Sequence, residues 1–276
     1  MVLWQALVLG IVQGITEFLP VSSSGHLVLF QSLFGMKEPM LAFDVALHAG
    51  TLVALLVYFR KEIGAILAGF LEFLKKCSCP CACSASSGDR SAGLWFMILL
   101  TLIPTAVIAV LFKDYFENAF SDLASVGWQW IIMGVLLLLS VKIPEGTRRF
   151  DRIGWWRSLL IGLAQALALI PAISRSGSTI LAGMALGIKR EDAAKFSFLI
   201  SIPAIIGAVL LELKHGAAYF ASHENEVLAG FLASALSGYM VIKWLMGIIQ
   251  RGRFSVFGYY CLLAGCVSLG IAYLSR

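Results

Sequence analysis

The sequence predicts an all-α polytopic membrane protein with about six transmembrane helices and two re-entrant helical hairpins in an inverted-topology repeat. Three observations predict this fold. Hydrophobic residues make up 59% of the 276 residues and charged residues only 13%, whereas a soluble domain carries about 25% charged residues. Six apolar runs are long enough to cross a bilayer, which takes about 20 residues per helix. A broken apolar segment also occurs twice.

The six apolar runs are the predicted transmembrane spans. They cover, approximately, residues 41–59, 93–112, 126–141, 196–213, 227–249 and 254–274. These spans leave room for one membrane domain over 1–276 and for no separate soluble domain. The longest polar connection is a predicted loop over 60–92, between the first two spans.

The duplicated segment reads WQALVLGIVQGITEFLPVSSSG over 4–25 and WRSLLIGLAQALALIPAISRSG over 156–177. A gapless shift of 152 residues matches the pairs Trp4/Trp156, Leu7/Leu159, Gly10/Gly162, Gln13/Gln165, Ser22/Ser174, Ser24/Ser176 and Gly25/Gly177. In each copy a proline and a serine–glycine turn interrupt an apolar stretch, which predicts a short helix, a turn and a second short helix.

An odd number of predicted spans, three, separates the two copies, so the copies should enter the membrane from opposite faces. This predicts inverted repeats over about 1–140 and 150–276. Irregular backbone at membrane depth is tolerated where protein or a wet cavity surrounds it. We therefore expect both turns to converge near the middle of the bilayer.

The basic residues are distributed unequally between the two faces that these spans define. Fifteen lysine and arginine residues fall on one face and four on the other. Such an excess marks the cytoplasmic face, so both termini are predicted to be extracytoplasmic. The basic residues are spread over separate short loops, which argues against a nucleic-acid-binding protein. The sequence gives no indication of the oligomeric state.

Four cysteines in the loop over 60–92 have the spacing C-x-C-P-C-x-C; they are Cys77, Cys79, Cys81 and Cys83. Structural zinc sites commonly space their cysteines as C-x2–4-C, and no histidine lies nearby. An exposed loop is the favoured interpretation over a metal site, and the role of the cysteines stays open.

Glu17 is the charged residue of the first copy. A carboxylate at bilayer depth costs about 2.5–3.5 kcal/mol on insertion scales, which indicates a functional group, although a glutamate facing external water is an alternative. Gln13 lies four residues earlier on the same helical face. Their side-chain oxygens suit Mg²⁺ or Ca²⁺ that is also bound by substrate phosphates, so a divalent cation is expected here.

The first turn adds Ser22, Ser23, Ser24 and His26. Hydroxyls and free backbone N–H groups at the start of a helix can hold an anion. His26 is a candidate acid or base near neutral pH, with a hydrogen-bonded structural histidine as the alternative. His48, inside the first predicted span, is interpreted as such a structural histidine.

The second turn contains Arg175, flanked by Ser174, Ser176 and Thr179. Arginine binds phosphate through two parallel hydrogen bonds and keeps its charge. A structural ion pair with Glu17 is the alternative, and such a pair could open when an anion arrives. The two turns together predict a site for a phosphate group on a lipid-soluble carrier.

The strings QGITEFLPVSSSGH over 13–26 and PAISRSGST over 171–179 resemble the two motifs of the bacterial undecaprenyl-diphosphate phosphatases of the bacitracin-resistance type. Both motifs occur in the family's order and spacing, and the likeness extends to AFDV from Ala42 and KFSFL from Lys195. The resemblance implies a multi-pass enzyme of the bacterial cell membrane. Such an enzyme hydrolyses undecaprenyl diphosphate to undecaprenyl phosphate, which recycles the carrier for peptidoglycan synthesis.

The resemblance also implies roles for individual residues. Glu17 is implied as a metal ligand or acid/base, with Gln13 beside it where many members have glutamate. Ser23 and His26 are implied in nucleophilic or proton-transfer roles. The residues implied in binding the diphosphate are Ser174, Arg175, Ser176 and Thr179. Ala172 stands where the family motif has glycine.

The favoured hypothesis is phosphoryl transfer driven by positioning and charge neutralisation, with Ser23, His26 or water as the nucleophile. The site should open to the extracytoplasmic side, because the first hairpin is predicted to insert from there. A transporter or flippase for an anionic lipid is the alternative. Inverted repeats with broken helices are typical of transporters, and a fold does not determine a function.

Overall fold

The computed structural model describes residues 1–36, 40–78, 93–112 and 123–274. In this part of the chain the regular structure is helical, and the only β-type pairing is an isolated bridge between Arg148 and Ile188. Three of the four loop cysteines, Cys79, Cys81 and Cys83, lie outside the described residues. Cys77 belongs to the last turn of a helix.

Twelve α-helices make up the described part. In chain order they are α1 Leu3–Phe18, α2 Ser23–Leu33, α3 Leu41–Tyr58, α4 Arg60–Ser78, α5 Leu94–Leu111, α6 Leu123–Leu139, α7 Trp155–Leu167, α8 Arg175–Ala185, α9 Arg190–His215, α10 Ala217–Ser222, α11 Glu224–Gln250 and α12 Val256–Leu274. Two short 3₁₀ turns lie between α6 and α7, at Ser140–Lys142 and Phe150–Arg152.

The six predicted spans are confirmed as helices. Within the described residues, six helices are long and apolar enough to cross a membrane: α3, α5, α6 with the 3₁₀ turn after it, α9, α11 and α12. Helix α9 begins before its predicted span, because Glu191 and Asp192 lie in its first turn. Acidic residues stabilise the positive N-terminal end of a helix. The chain is therefore an all-α polytopic membrane protein.

The predicted loop over 60–92 is wrong for residues 60–78, which form helix α4, and the rest of it lies outside the described residues. The apolar residues of α4, among them Ile63, Ile66 and Phe70, recur at helical spacing. The ring of Phe70 packs edge-on against Trp95 of α5 at a centroid distance of 5.1 Å. Charged residues at both ends of α4 mask this pattern when the sequence is searched for long apolar runs.

The two copies of the duplicated segment each form a short helix, a turn and a second short helix, as predicted. The first copy is α1–α2 and the second is α7–α8. Helix α1 packs along α11, from the second half of the chain, whereas α7 packs along α5, from the first half. The two halves are therefore interleaved, and neither hairpin packs mainly against its own half.

The described part of the chain buries several polar side chains and exposes many large apolar ones. Gln13, Ser22 and Ser174 are buried, whereas Val110 and Leu274 are 78% and 90% exposed. An apolar surface of this kind suits a hydrocarbon surrounding. A group of the buried polar residues lies where the two turns meet, which locates the candidate site.

Candidate active site

The first turn holds the second through serine hydroxyls. Ser22 Oγ donates to the carbonyl oxygen of Pro171 at 2.8 Å, and Ser24 Oγ donates to the same oxygen. Both hydroxyl groups therefore donate their hydrogen to the backbone of the other turn. The two turns are in direct contact, as the sequence predicted.

The second turn makes the equivalent hydrogen bonds to the backbone of the first turn. Ser174 Oγ and Ser176 Oγ lie 3.4 and 2.9 Å from the carbonyl oxygen of Leu19, to which they donate. The shift of 152 residues pairs Ser174 and Ser176 with Ser22 and Ser24, and it pairs Pro171 with Leu19. We call residues that are paired in this way repeat mates. We call these four hydrogen bonds the serine clasp. It is symmetric with respect to the sequence repeat.

Two glycines allow the turns to approach this closely. A Cβ on Gly25 would lie 3.3 Å from Cβ of Ala172 and 2.9 Å from the Trp130 ring. A Cβ on its repeat mate Gly177 would lie 2.4 Å from Cε of Met133 and 3.2 Å from Cβ of Pro20. Each glycine therefore lies between α6 and the opposite turn, and a side chain at either position would clash with α6 and crowd the opposite turn.

The serine clasp also sets the starts of α2 and α8. Ser22 Oγ accepts from the Gly25 N–H at 3.3 Å, and Ser174 Oγ accepts from the Gly177 N–H at 3.1 Å. Ser22 has a φ of 65°, a left-handed conformation that costs a non-glycine residue about 1–2 kcal/mol. Strained residues of this kind cluster at functional sites. Helices α2 and α8 therefore begin close together, where the two turns meet. The N-terminus of a helix favours an anion.

Glu17 is the centre of the polar cluster. Its Oε1 contacts the Arg175 guanidinium, and its Oε2 accepts from Ser23 Oγ at 2.6 Å and from Gln13 Nε2 at 3.0 Å. His48 Nε2 lies 3.5 Å from the same oxygen. The structure therefore brings together Glu17, Arg175, Ser23 and Gln13, as predicted, and it contains the ion pair that was considered as an alternative.

His48 is a site residue that the sequence analysis missed. Its Nδ1 lies 2.8 Å from the carbonyl oxygen of Asp44. Because a carbonyl oxygen only accepts, Nδ1 carries the hydrogen and the ring is fixed with Nε2 toward Glu17. The sequence offered no signal for this placement, since only the packing of α3 beside α1 brings the two side chains together.

His26 is not among the residues that line the site. Its Nδ1 lies 2.6 Å from the Ser22 carbonyl oxygen and its Nε2 lies 2.7 Å from the hydroxyl of Tyr260. Its ring stacks on Tyr260 and meets the edge of Trp130. Both ring nitrogens thus have protein partners, and His26 fastens the first turn to α12. Its acid/base role stays a prediction.

A cavity of about 230 Å³ adjoins the polar cluster. Part of its lining is polar and consists of the charged pair, His48, the turn serines, Thr105 and Gln165. The rest is apolar and comes from α9 and from the stretch between α7 and α8. The lining residues are Glu17, Ser22, Ser23, Ser24, His48, Thr105, Gln165, Ala168, Leu169, Ile173, Ser174, Arg175, Ala204, Ile205 and Ala208. The cavity is amphipathic, which suits a phosphate group carried on a hydrocarbon.

Two of the predicted phosphate-binding residues lie behind this cavity. Thr179 Oγ1 lies 2.8 Å from the Arg175 carbonyl oxygen and 2.6 Å from Ser197 Oγ. Ser176 is buried in the serine clasp. Neither lines the cavity, so direct contact of these two residues with a diphosphate stays a prediction.

The donor atoms fit a divalent cation that is shared with a substrate. Gln13 Oε1 is buried and has no hydrogen-bond partner within the described ranges, so one oxygen beside Glu17 is unused, although Gln13 itself does not line the cavity. No group of three or more His, Cys, Asp or Glu side chains that could hold a metal occurs in the described part of the chain. Magnesium is commonly bound by one or two carboxylates, waters and substrate phosphates, and this donor set is compatible with that mode.

Comparison with known proteins identifies the family. The model of the bacitracin resistance protein BacA family matches residues 6–267. The undecaprenyl-diphosphatase of Halothermothrix orenii is 39% identical over 274 residues, 99% of each chain. Those of Carboxydothermus hydrogenoformans and Desulforapulum autotrophicum are 42% and 41% identical, over 96% and 98% of each chain. The chain therefore belongs to the bacitracin resistance protein BacA family.

Proposed function

We propose that this protein is an undecaprenyl-diphosphate phosphatase. It hydrolyses undecaprenyl diphosphate to undecaprenyl phosphate and inorganic phosphate, and so recycles the lipid carrier of peptidoglycan synthesis. The names of its relatives support this substrate. The observation that carries the proposal is the amphipathic cavity, which Arg175 and the carboxylate-bonded Ser23 line together with apolar residues.

Arg175 binds the diphosphate. Its guanidinium pairs with Glu17 in the structure, so an arriving diphosphate competes with the carboxylate for the same N–H donors. Two parallel hydrogen bonds hold a phosphate better than a point charge does. The N-termini of α2 and α8 add backbone N–H groups on either side.

Ser23 is the nucleophile and Glu17 is its base. The 2.6 Å hydrogen bond from Ser23 Oγ to Glu17 Oε2 supports this assignment, because a nucleophile is activated by a base within hydrogen-bond reach. A bond forms between Oγ and the terminal phosphorus while the bridging P–O bond breaks. The serine proton passes through Glu17 to the departing undecaprenyl phosphate. Water then hydrolyses the phosphoserine.

A divalent cation, magnesium or calcium, held by Gln13, Glu17 and the diphosphate would supply further charge neutralisation. The unpartnered Oε1 of Gln13 supports this expectation. Removal of divalent cations with a chelator should lower the rate of phosphate release, and added Mg²⁺ or Ca²⁺ should restore it.

The protein lies in the bacterial inner or plasma membrane, with both hairpins re-entrant and both termini extracytoplasmic. The fifteen-to-four asymmetry of basic residues supports this orientation. The odd number of spans between the two repeat copies supports an inverted relation of the hairpins. The site then opens toward the extracytoplasmic side.

A phosphatase assay in detergent tests the function. The wild type should release inorganic phosphate from undecaprenyl diphosphate, and Arg175→Ala should abolish this release. Arg149→Ala is the matched control, because the Arg149 side chain is 62% exposed and pairs with Asp151 away from the cavity. A wild type that releases no phosphate in detergent, but moves the lipid between the leaflets of proteoliposomes, would instead be a transporter.

A further inference from the structure

Gln165 lines the cavity from α7, and no step of the proposed reaction uses it. It is the repeat mate of Gln13, with which it shares one property. Both side chains are buried, and the Oε1 of each has no hydrogen-bond partner among the residues that the structure describes. Gln165 lines the cavity, whereas Gln13 does not.

The orientation of the Gln165 amide is fixed by Thr105. The Thr105 hydroxyl lies 3.1 Å from the carbonyl oxygens of both Thr101 and Gly162. A hydroxyl has one hydrogen, and a carbonyl oxygen only accepts, so that hydrogen is donated to the backbone. Thr105 Oγ1 must therefore accept from Gln165 Nε2, which lies 3.1 Å away. The opposite end of the amide, Oε1, is the free end.

A free carbonyl oxygen at a phosphate site limits what can bind to it. Phosphate oxygens without a proton are acceptors and give it no hydrogen bond. A buried acceptor that stays unpaired costs about 1–3 kcal/mol, so the oxygen needs a donor during the reaction. Glutamine side chains orient the attacking water in other phosphoryl-transfer enzymes. Water is the reactant that the proposed second step requires.

We infer that Gln165 is a catalytic residue that orients this water, an inference that rests on the proposed function. Gln165 Oε1 accepts a hydrogen bond from the water that attacks the phosphoserine on Ser23. A bond forms between the water oxygen and phosphorus while the P–Oγ bond breaks. One water proton passes through Glu17 to Ser23 Oγ, and the other stays on the inorganic phosphate. Serine and carboxylate are thereby regenerated.

The test separates the two chemical steps in the Gln165→Met variant. Methionine is also unbranched but has no amide, so it removes the acceptor. Rapid-quench kinetics with undecaprenyl diphosphate measure undecaprenyl phosphate and inorganic phosphate in the first turnover. Undecaprenyl phosphate should form at the wild-type rate. Release of inorganic phosphate should slow about a hundredfold, the order seen when one catalytic hydrogen bond is removed, and phosphoserine should accumulate on Ser23.

Ser158→Ala is the control on the same helix. Ser158 is buried and donates to the Gly154 carbonyl oxygen at 3.1 Å, but it does not line the cavity. This variant should leave both rates unchanged. Thr105→Val releases the Gln165 amide from its fixed orientation and should slow phosphate release less than Gln165→Met does.

The outcomes distinguish this inference from the proposed function. If Gln165→Met keeps both wild-type rates, or slows both products equally, Gln165 does not orient the second water and the inference is wrong. A wild type that hydrolyses the diphosphate without a phosphoserine overturns the serine mechanism and the inference together. A wild type that releases no phosphate overturns the proposed function itself.

Discussion

At the residue scale, the site depends on how many partners one carboxylate has. Glu17 contacts Arg175, Ser23 and Gln13, with His48 nearby. An anion that binds Arg175 removes the strongest of these contacts. In the proposed mechanism the carboxylate is then free to act on the serine that still donates to it. Substrate binding and activation of Ser23 are linked, in that mechanism, through the same side chain.

The geometry of Arg175 sets the first prediction. Arg175→Lys keeps the charge but loses the planar pair of donors, so it should bind a diphosphate poorly. We expect kcat/KM for phosphate release to fall by about a hundredfold, since loss of charged hydrogen bonds costs about 1.5–3 kcal/mol. Steady-state kinetics of the purified variant check this. Activity close to that of the wild type would show that only charge is needed.

The two histidines should behave differently when their contacts are removed. His48 is partly exposed in the cavity, so His48→Ala should lower kcat about tenfold, an effect of roughly 1.4 kcal/mol, with little change in thermal stability. Tyr260→Phe removes one hydrogen bond of His26 and should lower stability by about 1 kcal/mol while turnover stays near that of the wild type. Thermal unfolding and turnover measured on both variants decide this. A large loss of turnover in Tyr260→Phe would indicate direct participation of His26.

At the element scale, the two hairpins work as one unit through the serine clasp. Each turn supplies a helix N-terminus, two serine donors and a carbonyl acceptor for the other turn. The candidate reacting groups therefore lie on short helices, and the serine clasp fixes these helices relative to each other. Rigid placement of this kind is what catalytic groups need, since small displacements cost large factors in rate.

The glycines of the two turns provide the test at this scale. Gly25→Ala and Gly177→Ala should each destabilise the fold by about 1–3 kcal/mol through overpacking and should abolish turnover, because the added Cβ clashes with Trp130 or Met133 of α6 and crowds the opposite turn. Gly247→Ala in α11 is the control, since nothing lies within 4 Å of its added Cβ. It should leave stability unchanged or raise it. Equal behaviour of all three variants would contradict the close approach of the turns.

The sequence predicts the spans and the main site residues better than it predicts the contacts between them. Apolar runs of sufficient length identify the spans directly, and a charge inside an apolar hairpin points to function. Glu17 and Arg175 were found in this way. The serine clasp was not predicted, because its acceptors are backbone carbonyls, which every residue has. His48 was missed because one histidine within a span has no pattern. Helix α4 was missed because charged residues at both of its ends interrupt the apolar run.

At the scale of the whole molecule, the two halves of the chain are interleaved, and both contribute residues to the candidate site. Helix α1 packs on α11 and α7 packs on α5, so each half of the chain holds a hairpin of the other. Glu17 and Ser23 come from the first half, and Arg175 comes from the second. Neither half contains a complete site, which explains why one cavity is shared by two repeats.

The orientation in the membrane can be measured on the same scale. Single cysteines placed at residue 2 and after the C-terminus of a cysteine-free variant should react with an impermeant thiol reagent in intact cells. A cysteine at residue 149, on the basic face, should be protected until the cells are opened. Labelling only at residue 149 in intact cells would reverse the proposed orientation.

The reciprocity of the serine clasp has an evolutionary consequence. Two identical copies of this hairpin, meeting in an ancestral dimer, would have made two equivalent pockets. In this chain the two copies differ at the charged positions, where Glu17 has Leu169 as its mate and Arg175 has Ser23. The serines of the clasp, by contrast, are the same in both copies. Substitutions at the contacting positions of the two turns should therefore be correlated across the family, although about 150 residues of chain separate them.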